Sequence, residues 1–228
     1  MLKKSFRWSI SLVIFLLLFS LEGHSQIIKG QLIAGLNMTQ VDGDEVYGYK
    51  KPGLQLGLGA MIPFGDKWDL SIETIYNEKG ARQKAQYPML ADSTNGAYSL
   101  YLNYLEVPVL VHFTDKELIT VGTGFSWGRL ITAREYEHDR QTNTDAQNGV
   151  YNPNDFNILV DLRMRLYKQI KFNFRYAYSM AKIRTREYST NTGSGSTWSR
   201  KQYNNMLTFR LVYMINEAKS DQNRRQLP

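Results

Sequence analysis

The chain has 228 residues, with 28 Lys or Arg, 21 Asp or Glu and a formal charge of +7, a length that suits one domain. It has no cysteine, which excludes disulfide staples, thiolate metal sites and lipid attachment at a cleavage point. No dense basic stripe is present, so no nucleic-acid partner is expected.

The first element is a secretory signal. Lys3, Lys4 and Arg7 make a basic start, Trp8 to Leu21 are mostly apolar, and Gly23 and Ser25 are small. This pattern predicts a signal peptide over residues 1–25, cleaved before Gln26. An uncleaved anchor helix fits less well, because the apolar run is short for a bilayer. Without these residues, 25 basic and 20 acidic side chains leave a net +5. No later run approaches about 18 apolar residues, which rules out α-helical spans.

The rest reads as eight extended segments, near 28–40, 51–64, 68–80, 98–113, 118–133, 155–167, 170–183 and 203–215. A tilted strand crosses a bilayer in about 9–11 residues, and these segments are long enough. Gly65–Lys67, Thr114–Glu117 and Lys168–Gln169 read as tight turns. The stretches near 41–50, 81–97, 134–154 and 184–202 read as long polar loops rich in Gly, Asn, Asp, Ser and Thr. Short turns at one end and long loops at the other predict an all-β fold, an eight-stranded antiparallel up-and-down transmembrane β-barrel over 26–215. Residues 216–228 follow as a short polar tail. Both termini then lie in the periplasm, and the long loops lie outside the cell.

The segment from Ile170 alternates most clearly. Ile170, Phe172, Phe174, Tyr176, Tyr178 and Met180 share one face; Lys171, Asn173, Arg175, Ala177, Ser179 and Ala181 share the other. A soluble, lipocalin-like barrel would turn the greasy face inward. An eight-stranded interior is only just wide enough for side chains to fill, so that face, rich in Phe, Tyr and Leu, would overfill it. The opposite face holds Gly57, Gly59, Gly122, Gly124 and Gly128 among longer polar residues, which suits a narrow lumen. Ten aromatic residues on the greasy face then form two girdles. Phe64, Trp68, Phe113, Phe172 and Tyr213 lie toward the periplasm; Tyr76, Tyr101, Trp127, Phe156 and Tyr178 lie toward the exterior. Asn103 falls on the lipid face, and Pro108, which cannot donate to a ladder, suggests a bulge.

Inward charges cluster. Glu73 and Glu106 lie on neighbouring segments, and Asp161, Arg163, Arg165, Arg175 and Arg210 lie on the sixth to eighth. An acidic wall is therefore expected to oppose a basic wall across the lumen, joined by bidentate Arg–carboxylate contacts. The expectation is a structural salt-bridge plug and a closed barrel. A charged filter for small solutes is the alternative.

Catalytic signals are sparse, and no enzyme activity is expected. After the signal, two histidines remain, His112 inward and His138 in a long loop. Ser126 and Ser179 are inward, but nothing in the pattern sets them beside His112, as a Ser-His-acid site requires. Glu135, Glu137, His138 and Asp139 could hold a divalent cation but read better as a solvated loop. No phosphate loop, dinucleotide fingerprint or zinc motif is present, and no cofactor is expected.

The stretch PGLQLGLGAMIPFGDKWDLSIETIYNEKGAR at Pro52–Arg82 resembles the second and third strands of the PorT-like outer-membrane β-barrel family of Bacteroidota. IAGLNMTQ at Ile33–Gln40, LNYLEVPVLVHF at Leu102–Phe113 and NNMLTFRLVYMI at Asn204–Ile215 resemble its first, fourth and closing strands. The resemblance implies the barrel fold and the outer membrane, with Glu106 and Pro108 in expected places. The founding member is linked to type IX secretion, so the resemblance also implies an accessory role in protein secretion. The family supplies no catalytic residues. Three functions follow as expectations: a structural or interaction component of the envelope, a small-solute channel, or a lipid hydrolase. Expected partners are outer-membrane lipid, lipopolysaccharide and an envelope or secretion-machinery protein. Tyr136, Tyr151, Tyr188 and Trp198 are candidate loop contacts or membrane anchors.

Overall fold

Alternation with period two makes strands, and here the strands close on themselves. The computed structural model describes residues 28–87, 95–115, 118–189 and 197–226; residues 1–25, read above as a signal peptide, lie outside them. The strands are β1 (Lys29–Asp42), β2 (Lys51–Pro63), β3 (Trp68–Gln83), β4 (Tyr98–Asp115), β5 (Ile119–Glu137), β6 (Arg140–Gln141), β7 (Asn154–Tyr167), β8 (Ile170–Ser179), β9 (Arg184–Ser189) and β10 (Thr197–Ile215). A helix, α1 (Glu217–Gln226), follows. Each of β1, β2, β3, β4, β5, β7, β8 and β10 bonds antiparallel to the next, and β10 returns to β1, from Gly30 opposite Ile215 to Asp42 opposite Tyr203. The product is an eight-stranded up-and-down barrel, without a free edge in the ring.

The inward face is the polar one. Gln31, Asn37, Glu73, Asn77, Asp161, Arg175 and Thr208 are buried, whereas Leu36, Leu58, Phe125 and Phe209 on the opposite parity are exposed, at 63%, 62%, 61% and 44%. An apolar belt this continuous is not tolerated by water; it is a surface for acyl chains. All ten girdle aromatics take the outward parity, and each is exposed or half-buried. Trp68 packs on Phe113 at 5.1 Å between ring centres, and Tyr178 stacks on Tyr203 at 6.3 Å.

Glycine makes room for the lumen's large side chains. Gly35, Gly59, Gly122 and Gly128 are the register partners of Arg210, Glu73, His112 and Glu106. A Cβ at Gly128 would lie 2.9 Å from Glu106 Cγ, and one at Gly122 would lie 2.7 Å from His112 Nε2. The long inward side chains therefore lie over neighbouring backbone on their way to the axis.

Two expectations change. The stretches read as loops near 134–154 and 184–202 are partly strand: β5 runs to Glu137, β6 pairs with it, and β9 forms a hairpin with the first half of β10. These extensions are polar on both faces, so hydrophobic alternation does not reveal them. Pro108 faces inward and interrupts the β3–β4 ladder without shifting its register; the bulge lies between Asn103 and Tyr104, where β5 carries an extra residue. Within the polar tail, α1 folds under the short-turn mouth. There Glu217 meets Lys171 at 2.6 Å and Arg165 at 3.1 Å, and Asp221 meets Lys29 at 2.7 Å.

Candidate functional site

The lumen holds two charged layers. In the first, nearer the short turns, β3 supplies Glu73, β7 supplies Asp161 and Arg163, β8 supplies Arg175 and β10 supplies Arg210. Glu73 accepts from Arg163 at 3.0 Å, Arg175 at 2.9 Å and Arg210 at 3.0 Å. Asp161 accepts from Arg175 at 2.5 Å, Arg210 at 3.2 Å and Arg163 at 3.3 Å. Three guanidinium groups thus face two carboxylates. Gln31 and Gln55 accept from Arg163 and Arg210, at 3.4 and 3.3 Å, and Asn173 accepts from Arg210 Nε. Bidentate geometry and neutral acceptors are what buried guanidinium groups require.

Glu106 does not join this layer. It meets Lys79 Nζ at 2.6 Å, and Lys79 also reaches Asp155 at 2.9 Å. Asn77 donates to Glu106 at 2.9 Å, while Ser179 and Asn204 donate to Asp155 at 2.5 and 2.9 Å. One ammonium here faces two carboxylates. The first layer carries one surplus positive charge and the second one surplus negative charge, so the two together are neutral. All eight charged residues are at most 3% exposed. Lys79 and Asp155 share inward parity with Glu73 and Asp161, a signal that could have found them. Arg165 is not in either layer; it sits at the short-turn mouth and bonds Glu217.

His112 is fully buried beside the first layer, with Nε2 3.4 Å from Asp161 Oδ2. Ser126 accepts from Asn157 and Ser179 donates to Asp155, so both serines are engaged away from His112. The Glu135–Asp139 cluster splits. Glu135 turns inward to Arg184 at 2.7 Å, and Glu137 pairs with Arg186. His138 accepts from the Gly96 amide at 3.0 Å, and Asp139 accepts from Asn95 at 2.8 Å.

At the long-loop mouth an apolar plug lies beneath a polar clasp. Val41, Val46, Leu100, Leu102, Leu130 and Ile183 pack together. Over them Glu135 accepts from Tyr98 at 2.9 Å, Tyr151 at 3.1 Å and Arg184 at 2.8 Å. Tyr151 is 2% exposed and lies under the Arg184 guanidinium, 4.7 Å from its ring centre; it is a core residue and not a surface contact. Burial raises its hydroxyl pKa. Tyr188 and Trp198 stack at 5.9 Å on the β9–β10 hairpin, and Tyr136 meets Tyr101 edge-on at 6.1 Å. Asp44, in the β1–β2 loop, is buried with one oxygen on the Val46 amide at 2.8 Å. Burial pushes its pKa up to about 7, against the opposing pull of that amide and of Arg184.

A closed ring with an apolar outside and an ion-paired inside defines a β-barrel membrane protein whose interior is packed rather than open. The chain belongs to the outer membrane protein beta-barrel domain family, which matches residues 30–184, and its place is the bacterial outer membrane. No curated protein matches it in sequence. Among solved structures it is similar to Ail, the attachment invasion locus protein of Yersinia pestis, with 11% identity, 82% of this chain and 99% of that chain covered and a TM-score of 0.47. It is also similar to Neisserial surface protein A, with 10% identity, 82% and 95% covered and a TM-score of 0.45.

Proposed function

We propose that this chain is a non-enzymatic outer-membrane protein with a sealed lumen. In this reading the termini and short turns face the periplasm, the long loops face outward, and residues 1–25 are the export signal. The observation that carries it is the pair of charged layers, in which eight buried charged groups form ion pairs inside the lumen. Eight-stranded barrels have interiors that side chains just fill, and here the filling is ionic. Reconstitution in planar bilayers is expected to give no steady conductance. A reproducible single-channel step would overturn the seal and favour the small-solute channel.

The interaction work then falls to the long-loop end, where the half-buried Tyr188–Trp198 stack lies on the β9–β10 hairpin. The protein acts there as an interaction component of the envelope, and in the narrower PorT-like reading as an accessory of type IX secretion. Crosslinking and affinity purification from native membranes tests this. Recovery of the same secretion or assembly subunit, lost on Trp198→Ala, supports the reading; an eluate unchanged by the substitution counts against the hairpin.

A further inference from the structure

The outward apolar face of β1 ends at Met38; beyond it come Gln40 and Asp42. At that level a groove of about 620 Å³ opens, lined by Met38, Tyr49, Lys50, Arg82, Gln83, Lys84 and Gln86. Its walls are fixed. Tyr49 donates to Asn205 at 2.8 Å, and Gln83 donates to the Gly96 carbonyl at 3.2 Å.

The charges in this groove differ from others at the same end. Arg184 and Arg186 are neutralised by Glu135 and Glu137, and Arg200 by Glu45. Lys50, Arg82 and Lys84 are exposed and have no ion pair among the described residues. Glu78, on the same strand as Arg82, is engaged by the Leu54 amide at 2.9 Å and the Tyr76 hydroxyl at 3.3 Å. Three free cations thus meet an apolar floor where the acyl-facing belt stops. That combination suits a ligand with phosphate at one end and hydrocarbon at the other. Cations at a lipid surface draw anionic head groups, and lysine and arginine stems lie along apolar chains with their charges in water.

We propose that Lys50, Arg82 and Lys84 bind the phosphorylated head group of an outer-leaflet glycolipid, of the lipid A class, with an acyl chain over Met38. This rests on the orientation given above, in which the long-loop end meets the outer leaflet.

The test uses full-length protein purified in detergent, with the triple variant Lys50→Ser, Arg82→Ser and Lys84→Ser. All three positions are exposed, and heat-modifiable gel migration verifies folding of the variant. Native mass spectrometry counts lipid retained after incubation with phosphorylated lipid A or with its dephosphorylated form. Retention of the phosphorylated form is expected to fall at least about tenfold in the variant, given the attraction each cation contributes at such a surface. The dephosphorylated form is expected to bind weakly to both proteins. Equal retention by the two proteins overturns the site, as does equal retention of the two lipids. Displacement by millimolar inorganic phosphate also overturns it, because the groove would then hold free phosphate and not a lipid. Orientation is read separately, by thiol labelling of Gln147→Cys on intact cells, in a chain with no other cysteine. Labelling with unchanged lipid retention sinks the site alone; labelling only after permeabilisation sinks the orientation.

Discussion

Arg175 grips Glu73 with both terminal nitrogens, Nη1 at 2.9 Å from Oε2 and Nη2 at 3.2 Å from Oε1, across the lumen from β8 to β3. The two residues are 102 positions apart in the chain. Their contact therefore exists only once the ring has closed. Glu73→Gln leaves three buried guanidinium groups with one carboxylate. Removing one partner from a buried charge network costs about 3–5 kcal/mol. Urea unfolding of the barrel in lipid vesicles is expected to show a loss of that order, and a loss below about 1 kcal/mol would mean that water screens the layer.

Strand positions are legible in the sequence because a barrel wall has lipid on one side and a crowded polar interior on the other. Each strand must then alternate, as Phe172, Phe174 and Tyr176 do against Asn173 and Arg175. Parity also assigns Glu73, Glu106, Asp161, Arg163, Arg175 and Arg210 to the inside. What parity does not give is height. Strands in a barrel are tilted and staggered, so residues at similar places along their strands meet different partners across the lumen. Glu106 sits opposite Ile75, two residues beyond Glu73 on the neighbouring strand, and so meets Lys79 further along that strand and not an arginine. The hairpin of β9 is hidden for a different reason: its face is held by Arg184 and Arg186 on Glu135, so no apolar rhythm marks it.

The opposite surplus of the two layers predicts coupling within the second one. Lys79→Met leaves Glu106 and Asp155 buried with no cation beside them, and is expected to cost about 3–5 kcal/mol. Adding Glu106→Gln removes one of the stranded charges. The double variant is expected to be less destabilised than the sum of the singles, by about 0.5–3 kcal/mol. Additive losses in chemical denaturation would show that the two groups do not share one network.

Glycine placement makes a steric prediction. An alanine at Gly35 would drive its Cβ against Arg210 Cβ and within 2.7 Å of the Phe209 carbonyl oxygen. Overpacking of this kind costs about 1–3 kcal/mol. Gly30→Ala is the control, since its nearest contact is the Ile215 side chain at 3.3 Å, in ordinary strand conformation. Gly35→Ala is expected to lower the unfolding midpoint clearly more than Gly30→Ala; equal shifts would deny that the lumen is packed against its wall.

Asp44 ties the β1–β2 loop to pH. Its folded pKa, about 7, exceeds its usual value of 3.8 because burial disfavours the carboxylate. Between those values the folded state holds a proton that the unfolded chain releases, so stability falls as pH rises through this window and levels off above about 7. Arg184 opposes the shift and Asp42 adds to it. Amide exchange at Val46 is expected to quicken from pH 5 to pH 8 beyond the intrinsic chemical rate. Asp44→Asn is expected to abolish that excess, and an unchanged profile in the variant would assign the response to another group.

The C-terminal helix and the charged layers are two separate barriers, and they can be told apart. Deleting residues 216–228 removes Glu217 from Lys171 and Arg165, and Asp221 from Lys29. Lys171 then loses its Glu217 carboxylate, while Lys29 keeps Asp69 at 3.6 Å and Arg165 keeps the Lys168 carbonyl at 3.0 Å; Glu73, Asp161 and their three arginines are untouched. The truncated barrel is expected to fold, to lose part of its stability and to remain non-conducting in planar bilayers. Glu73→Ser in the truncated protein removes one of the two shared acceptors at the centre, and is expected to bring intermittent anion-selective leak because three guanidinium groups then share Asp161 alone. Steady current on truncation alone would place the seal in α1, and the ionic layers would then be fillers of a wall rather than the closure.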